Sequence, residues 1–158
     1  MNLEEIEAIK QLKARYFRFM DTKQWDKWGM VWTEDAELHN PSARPEPIVG
    51  RAEIQRLVSS RLANTLSVHH GHMPEITITG EREANGVWAM YDLLMGQHPA
   101  DLLSGNSTGR TLIGYGHYIE QYRKDPDGQW RIRRLELRRL HTDEMTHQRS
   151  TDPSVFPS

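Results

Sequence analysis

The chain has 158 residues, one domain of ordinary size, long enough to bury a core without metal or disulfide staples. Lys and Arg total 20 against 22 Asp and Glu, a net charge of -2, so no cationic field exists to hold a polyanion and nucleic acid is not an expected partner. The lack of cysteine excludes thiolate chemistry, disulfides and Cys-ligated zinc, and leaves oxygen or nitrogen as any nucleophile.

The first ten residues, MNLEEIEAIK, are acidic and amphipathic, without a basic start and an apolar run behind it. No stretch nears the roughly 18 apolar residues of a membrane span, so a soluble, cytoplasmic protein without a membrane partner is expected. Asn2 and Glu5 have capping-box spacing, and Ile6, Ile9, Leu12, Tyr16, Phe17 and Met20 recur at threes and fours, which predicts a helix to about Met20. Thr22 is placed to cap a second helix carrying Trp25, Trp28, Val31 and Trp32. DAELHNP predicts a short strand ended by Asn40-Pro41, and a proline-rich loop follows. Ile54, Leu57, Val58, Arg61 and Leu62 then fall at the spacing of a third helix.

Beyond it the period changes to two. Residues 67–79, ending in EITITG, are separated from a strand over 87–95 by the polar turn GEREANG. TLIGYGHYIEQYR and WRIRRLELRRL, joined by KDPDGQ, complete a meander. In the last strand Trp130 and Ile132 share one parity and Leu135 and Leu137 the other, which predicts a β-bulge between them. Helices followed by consecutive strands indicate an α+β domain, with three helices on one face of a curved antiparallel sheet. That domain is expected over residues 1–142. Residues 143–158, polar until Val155 and Phe156, read as a tail that leaves the core for the surface or a neighbouring subunit.

The chemistry centres on SVHHGHMPEI, with three histidines in four positions of a strand. His70 and His72 share a face and His69 takes the other. HHxH is not a metal-ligand spacing and has no carboxylate beside it, so no metal is expected. Acid–base work is the better reading, because a buried carboxylate can hold a histidine's tautomer and raise its basicity. Asp21 is a candidate partner: it follows the apolar stripe at a helix C-terminus, where the dipole disfavours an anion. On the residues alone, an exposed loop acid or a cap of the second helix is the plainer reading of Asp21. Asp92, in the otherwise apolar WAMYDLLMG, would be costly there if unpaired.

Taken together, Tyr16 five residues before Asp21, TLSVHHGHMPEI, and GHYIEQYRKDPDGQWRIRRLELRRL make the chain resemble the SnoaL-like branch of the nuclear transport factor 2 (NTF2-like) superfamily over nearly its whole length. The nearest pattern is that of scytalone dehydratase, bile acid 7α-dehydratase and hexachlorocyclohexane dehydrochlorinase. The resemblance implies a cone-shaped fold around a pocket. It also implies a cofactor-independent lyase that eliminates water or HCl from hydrophobic rings, using a His assisted by an Asp. That family's spacing of 48 from Asp to His falls on Asp21 and His69; the preceding Tyr falls on Tyr16 and a second Asp on Asp92. An arginine of the last strand belongs to such pockets, and among Arg133, Arg134, Arg138 and Arg139 the choice falls on Arg139.

Phe17, Trp25, Trp28, Trp88, Tyr115 and Tyr118 are candidate aromatic walls for a hydrophobic, oxygenated substrate, and each is also a candidate core residue. The resemblance implies a homo-oligomer, trimer before dimer, with His70 at a subunit contact. Asn40 in LHNP stands where isomerases of this fold carry a proton-shuttling Asp, which argues against that chemistry. The same dyad would serve double-bond isomerisation or retro-aldol cleavage, and a non-catalytic binding domain is the rival from another class.

Overall fold

In the computed structural model, which describes residues 2–97 and 108–148, the first apolar stripe lies along α1 (Leu3–Asp21) and buries Ile9, Leu12, Tyr16 and Met20. Asn2 occupies the N-cap without a side-chain bond. Glu5 turns instead to Lys124 and Trp130 on the sheet, so the expected capping box does not form: an ion pair and an indole N–H replace one backbone donor. At the other end the Lys23 N–H donates to Met20 O and the Gln24 N–H to Phe19 O, with Lys23 at φ 60. These two bonds make a Schellman closure with lysine in the left-handed position usually given to glycine. The Thr22 hydroxyl donates to Arg18 O, so it closes the first helix rather than opening the second.

The second helix, α2, is only Trp25–Gly29. Trp32 already belongs to β1 (Trp32–His39), followed by β2 (Ile48–Val49), α3 (Arg51–Leu62), β3 (Thr65–Ile78), β4 (Glu83–Gln97), β5 (Thr108–Lys124) and β6 (Trp130–Gln148). The turn before β4 is shorter than GEREANG suggested, since pairing resumes at Glu83 opposite Arg123. The strands form one curved, unclosed sheet in the order β2-β1-β6-β5-β4-β3. The α+β architecture is the expected one, with three helices on a curved sheet. One pairing departs from it: β1 runs parallel to β6, so the sheet is mixed. The intervening β2, α3 and long hairpins bring β6 beside β1, and no tight turn forces the two to oppose.

Bulges shape this sheet. Ile132 faces Tyr122 and Arg134 faces Gln121, so Arg133 is the extra residue of the expected bulge. A second one leaves Leu140 between Arg139, opposite Gly116, and His141, opposite Tyr115. A third irregularity lies between His72 and Glu75, where Met73 takes a positive φ. Each adds local bend and twist, which curls the sheet around the face that carries Ser67, His69, Gly71, Trp88, Met90, Asp92 and Tyr118. β6 stays paired with β5 through Gln148, so the ladder does not end at 142 as the expected tail required. Val155 and Phe156 lie outside the described residues.

The core occupies the narrow end of the cone. Tyr16, Trp28 and Trp32 meet at centroid distances of 5.5–5.7 Å, and Trp25 stands edge-on to Trp28 at 5.9 Å. Trp28 and Trp32 are fully buried. The aromatic surface of the second helix therefore packs the interior, where rings of this size supply most apolar burial.

Candidate active site

At the wide end of the cone the helices and the concave face of the sheet stand apart and leave a cavity of about 260 Å³. Its floor is polar: Tyr16 from α1, His69 from β3, Asp92 from β4, Tyr118 from β5 and Arg139 from β6. Its walls are aliphatic, from Met20, Leu38, Ile48, Leu57, Val58, Leu62, Leu94, Leu135 and Leu137.

Asp21 stands behind His69. The α1 closure ends the helix on Asp21 and aims it at β3, where the His69 backbone N–H donates to Oδ2 at 2.9 Å and the ring Nδ1 lies 2.6 Å from Oδ1. The Ser67 hydroxyl donates to Oδ1 at 2.9 Å, and the Lys23 ammonium donates to Ser67 in turn. A carboxylate only accepts, so Nδ1 carries the hydrogen and Nε2 holds the lone pair. Nε2 has no protein partner among the described residues, and His69 lines the cavity. This geometry suits a general base.

Burial works to raise the Asp21 pKa, but the bonds and charge of His69 and the Ser67 hydroxyl outweigh it and hold the carboxyl below its ordinary value. A carboxyl depressed in the folded state contributes stability above its unfolded pKa, and that contribution is lost as pH falls through the folded one. Urea unfolding between about pH 5 and pH 2 should therefore show a shallower loss of stability for Asp21→Asn than for the unaltered chain. Equal slopes would mean that Asp21 makes no such contribution.

Asp92 is buried, and Arg139 holds it with two bonds, Nη1 to Oδ1 at 2.9 Å and Nη2 to Oδ2 at 2.7 Å. Burial opposes the Arg139 charge, and the bonds to Asp92 more than offset it, so the guanidinium is held above its ordinary pKa. With both oxygens engaged as acceptors, Asp92 orients Arg139 rather than offering a proton. Gly114 makes room for the pair: a Cβ there would lie 1.6 Å from Arg139 Nη1 and 2.2 Å from Asp92 Oδ1. Gly114→Ala should force the pair apart and cost about 1–3 kcal/mol, read by urea unfolding. A stability unchanged within error would show that the pair can shift freely.

The Tyr16 phenol is pushed well above its ordinary pKa, by burial first and then by the charges of Glu120, Asp21 and Asp92. Tyr118 is raised too, by burial and then by Tyr16, Asp92 and Glu120, with Arg139 opposing. Both remain protonated hydrogen-bond donors at neutral pH.

The structure brings together five of the residues singled out in the sequence, Tyr16, His69, Asp92, Tyr118 and Arg139, with Asp21 one bond behind. It leaves the other aromatic candidates out of the cavity lining, although Phe17 and Trp28 pack against Tyr16 from behind. Trp25 and Trp28 belong to the core. Phe17 and Trp88 pack where a Cβ on Gly71 would stand, about 3 Å from each ring, and the Trp88 indole donates to the Tyr122 hydroxyl at 2.8 Å. Tyr115 lies on the outer face, stacked on His141. Five of the six expected aromatic walls are thus not cavity lining, because large rings fill the narrow end and aliphatic side chains surround the open one. Of the three histidines, His69 alone faces the cavity. His70 and His72 point outward, their rings 5.7 Å apart, beside Tyr91.

The family model described as "SnoaL-like domain" matches residues 1–136. The chain belongs to the SnoaL-like domain family. Its fold is similar to that of a protein of Novosphingobium aromaticivorans named as a candidate scytalone dehydratase, at 24% identity and TM-score 0.76, covering 99% of this chain and 97% of that one. It is also similar to hexachlorocyclohexane dehydrochlorinase LinA-type3 of Novosphingobium barchaimii, at 18% identity and TM-score 0.69, covering 96% and 97%. A protein of unknown function from Mycobacterium tuberculosis matches at 24% identity and TM-score 0.69, over 98% and 79%.

In this SnoaL-like chain, sequence reasoning noted Asn40 only as a departure from isomerases and missed Arg44 and Arg61, although all three line the cavity; it also missed the pair of Lys13 and Glu120 beneath the floor. Lys13 did leave a signal, a charge three residues before Tyr16 inside the apolar stripe. Gly114 left another, since glycine in a strand interior often marks a close approach. Arg61 left a similar one, a charge at the spacing of Leu57, Val58 and Leu62, whereas Arg44 left none, because its loop reaches the cavity only through tertiary packing.

Proposed function

We propose that this SnoaL-like protein is a cofactor-independent lyase that carries out a dehydratase-like elimination on a hydrophobic, oxygenated cyclic or aromatic small molecule. The observation that carries the reading is the 2.6 Å contact from His69 Nδ1 to Asp21, with Nε2 left to the cavity. Nε2 takes a proton from the carbon next to an activating group. The electrons of that C–H bond form the double bond, the neighbouring C–O bond breaks, and the departing hydroxide takes the proton now held on Nε2, leaving as water and restoring the neutral imidazole. Tyr16 and Tyr118 donate hydrogen bonds to the oxygens that gain charge, and Arg139, held by Asp92, adds a fixed positive charge beside them. In a site screened from water such donors act more strongly than in solution.

The test is a panel of cyclic β-hydroxy ketones, with the conjugated enone product followed by ultraviolet absorbance. Product formation by the unaltered chain and its loss in His69→Ala support elimination. Ligands that bind both forms equally, with no product from either, would assign the chain to the non-catalytic binding modules. Isomerisation and retro-aldol cleavage begin with a similar proton abstraction, so product analysis separates them from elimination.

A further inference from the structure

Two cationic side chains at this cavity have no acidic partner among the described residues. Arg44, from the loop after β1, and Arg61, near the end of α3, both line it, and both reach solvent, whereas His69 and Asp92 at the far end are buried. Among the described residues neither arginine has a carboxylate within 4.0 Å. The arginines of β6, by contrast, are all ion-paired: Arg131, Arg133, Arg134, Arg138 and Arg139 each have an acidic partner. Glu53 is close enough to feel Arg44, but its two carboxylate oxygens take hydrogen bonds from Arg56. Beside Arg44, Asn40 also lines the cavity, and its Oδ1 is buried without a hydrogen-bond partner. A buried acceptor without a donor is costly, and a ligand hydroxyl or N–H would satisfy it.

We propose that the cavity selects an amphipathic substrate whose far end carries an anionic group of the carboxylate class, which Arg44 and Arg61 bind at the mouth. This rests on the reading of the cavity as the substrate site. The aliphatic band between mouth and floor accepts the hydrophobic body of such a molecule and the polar floor its oxygenated end. The planar guanidinium fork matches a carboxylate with two parallel bonds, so two arginines fix both the charge and the direction of entry. Asn40 adds a contact to a donor on the same end of the ligand.

The experiment compares naphthylacetate with its uncharged isostere naphthylacetamide, using the full chain and naphthalene fluorescence. At low salt the anion should bind about tenfold tighter, the scale of two partly exposed charge pairs, and raising the salt should erase the difference. Arg44→Gln with Arg61→Gln should bring the anion down to the affinity of the amide and leave the amide unchanged, while His69→Ala keeps the preference. Equal binding of the two probes to the unaltered chain, no binding of the anion, or a preference that survives the double substitution would each overturn the proposal. The salt titration needs no variant, so a double variant that misfolds does not shelter it. Turnover lost in His69→Ala without a charge preference would sink this inference and leave the lyase standing. A charge preference without turnover would do the reverse.

Discussion

His69→Ala lowers the turnover of an eliminated substrate by about 10²–10⁴-fold, the usual contribution of a placed general base, with the fold intact. The fold should survive because His69 stands at the floor of a cavity and contributes no ring to the aromatic core. Asp21→Asn is expected to fall in the same direction for a different reason. An amide at Oδ1 can present its N–H to Nδ1, and the ring then turns over to the tautomer whose Nε2 carries the hydrogen. The lone pair that the reaction needs is then lost, although the ring stays in place. The backbone N–H of His69 and the Ser67 hydroxyl also lose a charged acceptor, so Asp21→Asn should cost stability that His69→Ala does not. Steady-state rates and urea unfolding on the two variants separate these effects. A His69→Ala chain that retains full turnover would remove the general base from the mechanism.

The second large effect belongs to the pair beneath the cavity. Lys13 and Glu120 are both fully buried and bonded to each other, and Glu120 also accepts from the Tyr122 hydroxyl. The Lys13 ammonium stands 4.1 Å from the ring centroid of Tyr16, 4.7 Å from Phe17 and 3.8 Å from Tyr118. Burial lowers the Lys13 pKa, and the charge and hydrogen bond of Glu120 oppose the drop. Removing one partner leaves the other charge unpaired in a dry interior, so Lys13→Met should cost about 3–5 kcal/mol, while Lys13→Met with Glu120→Gln should cost much less than the two singles summed. Urea unfolding of the three variants gives the coupling directly. Strict additivity would mean that the two charges do not depend on each other. The same ammonium is packed against both cavity tyrosines, so a loss of Lys13 should also loosen the phenols that donate into the site.

Helix and strand periods made much of this architecture legible before any coordinates. The stripe from Ile9 to Met20 became α1 and the parity change after Ile132 became the bulge at Arg133, while the spacing from Asp21 to His69, which the family resemblance supplied, became a hydrogen bond. Arg139 was chosen among four arginines on the family resemblance; in the folded strand it continues the side of Leu135 and Leu137, while Arg134 and Arg138 turn to Glu136. Other features were not legible, and for identifiable reasons. Thr22 has the residue type of an N-cap, but its hydroxyl reaches back to Arg18, because the chain turns left-handed at Lys23 before the second helix can start. Glu5 has the spacing of a capping box, but Lys124 and Trp130 lie closer to its carboxylate in the folded chain.

By itself the sequence determined what is local or periodic: three helices, the faces of the strands, one bulge, and the separation of His69 from His70 and His72 to opposite sides of the sheet. Alternation in a strand assigns a side without reference to the rest of the fold. Tertiary structure decided what depends on which surfaces meet. It sent Trp25, Trp28, Phe17 and Trp88 to the narrow end, left Tyr115 outside, lined the cavity with aliphatic residues, and laid β1 parallel to β6. It also gave Asp92 to Arg139 and Glu120 to Lys13, and among the described residues gave no acidic partner to Arg44 and Arg61 at the mouth. Burial and charge pairing are properties of neighbours distant in the chain, and a pattern of residue types carries no record of those neighbours until the sheet curls and the helices close over it.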